Sequence, residues 1–227
     1  LLFAQSPTVQ TYDPPIPFGQ DNLNWGSDIL VSQTEPLGRP SAVYCTANST
    51  LYAAIPDTNI LAAKCIVLVK STNNGVNWSI INSVSPAAVI PKTKMIASGD
   101  SVYCFFLFGT TVYCWNVITN NFNQFTNYTS IRDFDATISS TKSLYLIVDL
   151  LINNDARVFG STTGGQTWPT SIFLTSTAAF PRIYMSGSGD TAIINYYGVA
   201  IAPDTISSAI RSVRYRESTP GTLVING

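Results

Sequence analysis

Histidine is absent from the 227 residues, which removes the commonest general base, every Ser-His-Asp or Cys-His arrangement and most zinc sites. Charge is scarce as well. Lys and Arg number 12 and Asp and Glu 13, so the formal net charge is −1 and charged residues make up 11% of the chain. No basic field exists to draw in nucleic acid or an anionic membrane surface. The four cysteines, Cys45, Cys65, Cys104 and Cys114, form no C-x-x-C pair, so neither a metal knuckle nor a redox motif is indicated. No apolar run is long enough to span a bilayer; the stretch 144–152 is short and carries Asp149. Helical periodicity is missing throughout.

What remains is apolar and polar-neutral. The apolar fraction is 45%, enough at this length for one large domain with its own core, and too much for a disordered chain. A Ser/Thr/Asn/Tyr-rich surface with few charges suits an exported protein. The start, Leu1-Leu2-Phe3-Ala4-Gln5, resembles the last residues of a signal peptide cut near Ala4; an apolar N-terminal strand or anchor is the other reading. Residues 1–40 form a Pro-rich segment in which Pro14, Pro15 and Pro17 block regular structure. One strand-like run, Asp28-Ile29-Leu30-Val31-Ser32, interrupts it.

From residue 41 the chain repeats itself. Four units, about 41–90, 91–130, 131–178 and 179–227, share one order of short strand, tight turn, second strand, third strand, polar turn and last strand. Their second strands are Thr50-Leu51-Tyr52-Ala53, Ser101-Val102-Tyr103-Cys104, Ser143-Leu144-Tyr145-Leu146 and Thr191-Ala192-Ile193-Ile194, whose middle positions step by 51, 42 and 48 residues. Third strands are expected at 65–69, 111–117, 157–160 and 210–215, and fourth strands at 79–84, 122–126, 171–175 and 222–226. Four such units predict an all-β fold, a β-propeller of four-stranded antiparallel blades. A β-sandwich would not predict turn chemistry phased in this way. Four visible blades leave three readings of the ring: part of a larger propeller, which is the favoured one, a complete four-blade ring, or an arc completed by copies of itself.

Two turns stand out. Ser71-Thr72-Asn73-Asn74-Gly75-Val76-Asn77-Trp78 and Ser161-Thr162-Thr163-Gly164-Gly165-Gln166-Thr167-Trp168 both read S-T-x-x-G-x-x-W, 90 positions apart. Gly supplies a positive φ, and the Trp re-enters the sheet where its ring can pack. The pattern resembles the Asp-box of sialidase-type (BNR) repeats, S-x-D-x-G-x-x-W, which joins the third and fourth strands of propeller blades. Asn73 and Thr163 stand at its acidic position, and the family's box is a folding element, so the structural residues it implies are Ser71, Asn73, Gly75, Trp78, Ser161, Thr163, Gly165 and Trp168.

Sialidases use an arginine triad for the substrate carboxylate, a Tyr/Glu nucleophile pair and an acidic acid/base residue. The resemblance implies Arg39, Arg132 and Arg182, near blade starts, as triad candidates, although Phe180-Pro181-Arg182-Ile183 places Pro before Arg and departs from F-R-I-P. Asp133 and Asp135 are the acid/base candidates, on one strand face if extended, or in a solvated loop between blades, the preferred reading. Tyr215 with Glu217, or Tyr196 and Tyr197, are the nucleophile candidates; half-buried strand packing is the plainer role for each tyrosine. Cys104 and Cys114 flank a turn near Gly109, so a disulfide across the hairpin and two buried thiols are equally open. No metal or cofactor is indicated, beyond calcium at turn oxygens such as Asn73-Asn74 or Asn153-Asn154-Asp155, where turn geometry is the simpler account. Asn48, Asn77 and Asn127 begin N-glycosylation sequons. The expected function is an exported, non-catalytic module on or outside the cell, binding a protein, a glycan or copies of itself; the alternative is a sialidase-like glycoside hydrolase, or the N-terminal part of one.

Overall fold

The computed structural model describes residues 40–57, 65–84, 92–152, 155–175, 178–198 and 209–225. Short apolar runs separated by Gly, Asn and Ser turns leave each strand one obvious partner, the next in sequence. The first blade is β1 (Ser41–Cys45), β2 (Thr50–Asp57), β3 (Cys65–Ser71) and β4 (Ser79–Val84). The second is β5 (Thr93–Ser98), β6 (Ser101–Phe108), β7 (Thr111–Asn116) and β8 (Asn121–Gln124). The third is β9 (Ile131–Ile138), β10 (Leu144–Leu150), β11 (Ala156–Ser161) and β12 (Thr170–Thr175). The fourth is β13 (Ala178–Met185), β14 (Thr191–Gly198), β15 (Ala209–Thr219) and β16 (Thr222–Ile225). Every sheet is an antiparallel meander in chain order. The chain therefore folds as four blades of a β-propeller, as the repeat predicts. Arg39 and the run 28–32 lie outside the described residues, as do Asn153 and Asn154.

Blades pack face to face, and each junction is one apolar layer. Cys45, Ala54, Ile66 and Leu68 of the first blade meet Met95, Cys104, Phe106 and Trp115 of the second. Phe105, Leu107 and Cys114 meet Phe134, Leu146, Phe159 and Trp168 of the third. Tyr145, Ile147 and Val158 meet Ile183, Ile194, Tyr196 and Tyr215 of the fourth. The period-two alternation of each strand thus serves two junctions, one per face. The first strands of all four blades line a central hollow of about 460 Å³ that includes Val43, Ile96, Ile138 and Met185.

The two Asp-box-like turns share their bonding. The Ser71 hydroxyl accepts from Gly75 N at 2.9 Å, and Ser161 accepts from Gly165 N at 3.1 Å. Asn73 Oδ1 accepts from Asn77 N at 2.9 Å; Thr163 Oγ1 accepts from Thr167 N, also at 2.9 Å. The third position of the motif needs only an acceptor, which is why Asn and Thr both serve there. Gly165 adopts φ +86°, and a Cβ there would come within 2.6 Å of Cys114 Sγ. Trp168 donates its indole N–H to Gly165 O at 3.1 Å and sets its ring edge-on to Phe105 and Phe125. One turn residue therefore anchors the third blade on the second.

The hairpin disulfide does not form. Cys104 lies opposite Trp115, and Cys114 opposite Phe105. The one-position offset sends the two thiols to opposite faces, Cys104 into the first junction and Cys114 into the second. Both are free and buried, and burial pushes both thiols up from their ordinary pKa.

Candidate functional site

In a four-stranded meander the first-to-second and third-to-fourth turns share one end of the blade. The second-to-third and blade-to-blade connections share the other, here called the mouth. Charge in this charge-poor chain gathers at the mouth, around β9. Asp133 Oδ1 binds Lys92 Nζ at 2.9 Å and its Oδ2 binds Arg182 Nη1 at 2.8 Å. Asp135 pairs with Lys94 at 3.0 Å and accepts from Ile183 N at 3.1 Å. The two aspartates stand two apart on β9, so one strand face clamps the second blade on one side and the fourth on the other. Both side chains are largely withdrawn from solvent, at 13% and 5% exposure. The preferred expectation of a solvated loop is thereby corrected: the segment is strand, and its carboxylates are ion-paired.

Asp149 lies directly across from Asp133 on β10 and is wholly buried. Arg132 grips it with Nε at 3.0 Å and Nη2 at 2.8 Å, the planar fork-to-carboxylate match that arginine makes best. A register shift between Asp149 and Leu150 turns Arg132 toward this partner. A second shift, between Ala179 and Arg182, distorts the start of β13, where Phe180 takes φ +51°. Non-glycine residues are held there only when their surroundings impose it. The result is an exposed Phe180, 61% accessible, which lines one hollow together with Arg182.

The pKa shifts follow from these contacts. Burial raises the Asp133 carboxyl, but its hydrogen bonds from Arg182 and Lys92 outweigh that and hold it below the ordinary value. Burial pushes Asp149 up, and Arg132 only partly counters it. Lys92 is lowered by burial despite Asp133. Two adjacent carboxyls are thus driven apart in acidity.

Next to the clamp opens a shallow, apolar-walled hollow of about 480 Å³, formed by Phe180, Arg182, Asn195, Tyr196, Tyr197 and Ile210. Tyr197 and Ile210 are exposed at its rim, whereas Tyr196 faces the buried junction with the third blade. An aromatic and aliphatic wall with two convergent polar groups is the usual build of a small-ligand site.

The structure brings together Arg132, Arg182, Asp133 and Asp135, and sets the nucleophile candidates Tyr196 and Tyr197 at the neighbouring hollow, but leaves Tyr215 and Glu217 elsewhere. Tyr215 is buried between blades, and Glu217 accepts instead from Tyr145 Oη at 2.6 Å, Thr141 Oγ1 at 3.0 Å and Gly221 N at 3.2 Å. Tyr145 sits four residues from Asp149 along β10, about 14 Å of strand, toward the turn end. The Tyr215/Glu217 pair with the arginines is therefore corrected: Glu217 is a junction tie between the third and fourth blades. Asn73 is occupied within its own turn. Sequence reasoning missed Lys92, Lys94 and Asn195, because only the blade register shows what faces Asp133, Asp135 and Arg182.

No protein-family model matches the chain, and no curated protein matches it. Solved structures do resemble it. The chain is similar to hydrazine synthase of Kuenenia stuttgartiensis, with a TM-score of 0.55 and 10% identity over 82% of this chain and 53% of that one. It is similar also to an exo-beta-1,3-galactanase of Phanerochaete chrysosporium, with a TM-score of 0.50 and 14% identity over 82% of this chain and 48% of that one. The chain spans about half the length of these structures. At such identity the likeness is one of fold.

Proposed function

We propose that this chain is an exported glycan-binding β-propeller unit of the Asp-box kind, which holds a saccharide in the hollow at Phe180, Arg182, Asn195 and Tyr197 without hydrolysing it. The observation that carries the reading is the pairing of exposed rings and two polar groups with a mouth whose carboxylates are already committed. Asp133 serves two cations and Asp135 one, and Asp149 has no solvent access. A hydrolytic pair needs one carboxyl on each side of the scissile bond, open to substrate. Rings of the Phe180 and Tyr197 type can stack on a sugar, while Arg182 and Asn195 orient its hydroxyls. The two matched S-T-x-x-G-x-x-W turns support the Asp-box affiliation.

A glycan array probed with the purified chain, including β-1,3-galactotriose as the saccharide of the similar galactanase structures, tests it. Retention of at least one saccharide is expected, weakened about tenfold, or 1.4 kcal/mol, by Tyr197→Ala. No retention anywhere on the array contradicts the proposal.

A hydrolase is the second reading. It is favoured by the opposed acidity of Asp133 and Asp149, a pattern that elsewhere separates base from acid. It requires saccharide turnover that Asp133→Asn abolishes.

A further inference from the structure

The face that the fourth blade turns away from the third does not follow the rule of the other three. At the centre of each junction the second and third strands present one cross-strand pair to the following blade: Ala54 with Leu68, Phe105 with Cys114, Ile147 with Val158. All six are buried and apolar. At the corresponding place the fourth blade presents Asn195 with Ser212. One layer further toward the turn end, where the others carry Tyr52, Tyr103 and Tyr145, it pairs Ile193 with Arg214, and beyond that Thr191 with Arg216. An Asn/Ser centre flanked by arginines is a poor match for another blade's apolar layer, because each buried polar group would need a new partner.

Among the described residues the same face is positive. Arg214 and Arg216 are exposed and form no salt bridge with any described residue. Arg182 lies two strands across from Ser212 on this face. No acidic residue occupies an outward position of β13, β14, β15 or β16. Asp133 pairs with Arg182 from the mouth, Asp190 in the adjoining turn accepts from Ser188 and Thr191, and Glu217 points to the other side onto Tyr145. Arg214 and Arg216 are two apart on one strand, about 7 Å, below the aromatic hollow. Tyr184 and Tyr197 lie exposed beside this line of charge.

The geometry points to an acidic polysaccharide, a polymer carrying carboxylates on its sugars, as the ligand of this face. It would run from the hollow at Tyr197 down past Arg214 and Arg216. This rests on the glycan-binding reading and names the ligand class for that same site. Guanidinium groups on a carboxylate make paired, planar hydrogen bonds, and the tyrosines offer ring faces to the sugars. A nucleic acid is disfavoured by the small number of cations and by the net charge of −1.

The test is a calorimetric titration of the full chain with oligogalacturonate and with neutral β-1,3-galacto-oligosaccharide of the same length. The two are compared for wild type and for the double variant R214Q/R216Q. The acidic oligomer is expected to bind at least tenfold tighter at low salt, with the advantage shrinking as salt rises. In the double variant that advantage disappears, while neutral binding and Tm stay unchanged. If acidic and neutral oligomers bind alike, or the double variant keeps the preference, the acidic assignment falls and the glycan reading stands. If neither binds, both fall. Equal binding of dextran sulfate, of a charge-matched DNA duplex or of an acidic peptide overturns the carboxylated-sugar class.

Discussion

At Asn73 the hydrogen bonding explains how an Asp-box-like turn works without its Asp. The side-chain oxygen accepts from Ser71 Oγ and Asn77 N, each at 2.9 Å, and carries no charge-dependent partner. Asn73→Asp is expected to leave stability within about 0.5 kcal/mol, and Asn73→Ala to cost about 1–2 kcal/mol through two lost acceptor contacts. Urea melts of the two variants check this; a loss in Asn73→Asp as large as in Asn73→Ala would contradict the acceptor account. Gly165 is the stricter position. Its φ of +86° and the 2.6 Å approach of a Cβ to Cys114 Sγ compound each other, so Gly165→Ala is expected to lose about 2–4 kcal/mol. At about 2–4 °C per kcal/mol for a chain of this size, a thermal melt would see it easily. Trp168 and Gly165 were legible in the sequence as turn residues. What they pack against was not, because Cys114 and Phe105 belong to another blade and come near only through the ring.

The first strand β9 holds its neighbours by charge as well as by apolar packing. Asp133 serves cations from two other blades, so Asp133→Asn leaves Lys92 and Arg182 without their shared anion. The expected cost is about 2–3 kcal/mol, below that of breaking a fully buried pair because Arg182 is 39% exposed. The pH dependence has a definite sign. The folded-state pKa of Asp133 is depressed, so its contribution is present above the unfolded value of about 3.9 and is lost as pH falls through the lower folded one. Asp149 is shifted upward and acts in reverse, its protonated form being favoured by the fold. Urea midpoints between pH 3 and 6 should therefore fall less steeply in Asp133→Asn than in wild type at the acid end. Parallel curves would contradict the clamp. Strand order and strand class were readable from period-two runs and phased turns, as Leu51-Tyr52, Val102-Tyr103 and Leu144-Tyr145 illustrate. The partners of Asp133 were not, since Lys92 is 41 positions away and Arg182 is 49, separations at which an unaligned sequence carries no contact signal. The Cys104 and Cys114 case shows the same limit at finer grain: a one-residue offset in register decides whether two thiols meet or face opposite ways.

Across the molecule, junctions repeat and one face departs. Three apolar layers join four blades, and the third junction is closed further by backbone contact. Thr170 donates to Gly221 O at 2.6 Å, and a Cβ on Gly160 would lie 2.0 Å from that same oxygen. Gly160→Ala is expected to disturb the third and fourth blades together, lowering Tm by several degrees; an unchanged melt would mean the two blades are not in that contact. The role proposed for the mouth of this propeller is to bind saccharide without cleaving it. The most direct measurement incubates the chain with β-1,3-galactotriose, or with whichever array saccharide is retained. Binding is followed by calorimetry, and the saccharide is then weighed by mass spectrometry. Saturable binding that Tyr197→Ala weakens about tenfold, with the saccharide recovered at its starting mass, is the predicted result. Release of a shorter saccharide, abolished by Asp133→Asn, would contradict it and make the chain a hydrolase.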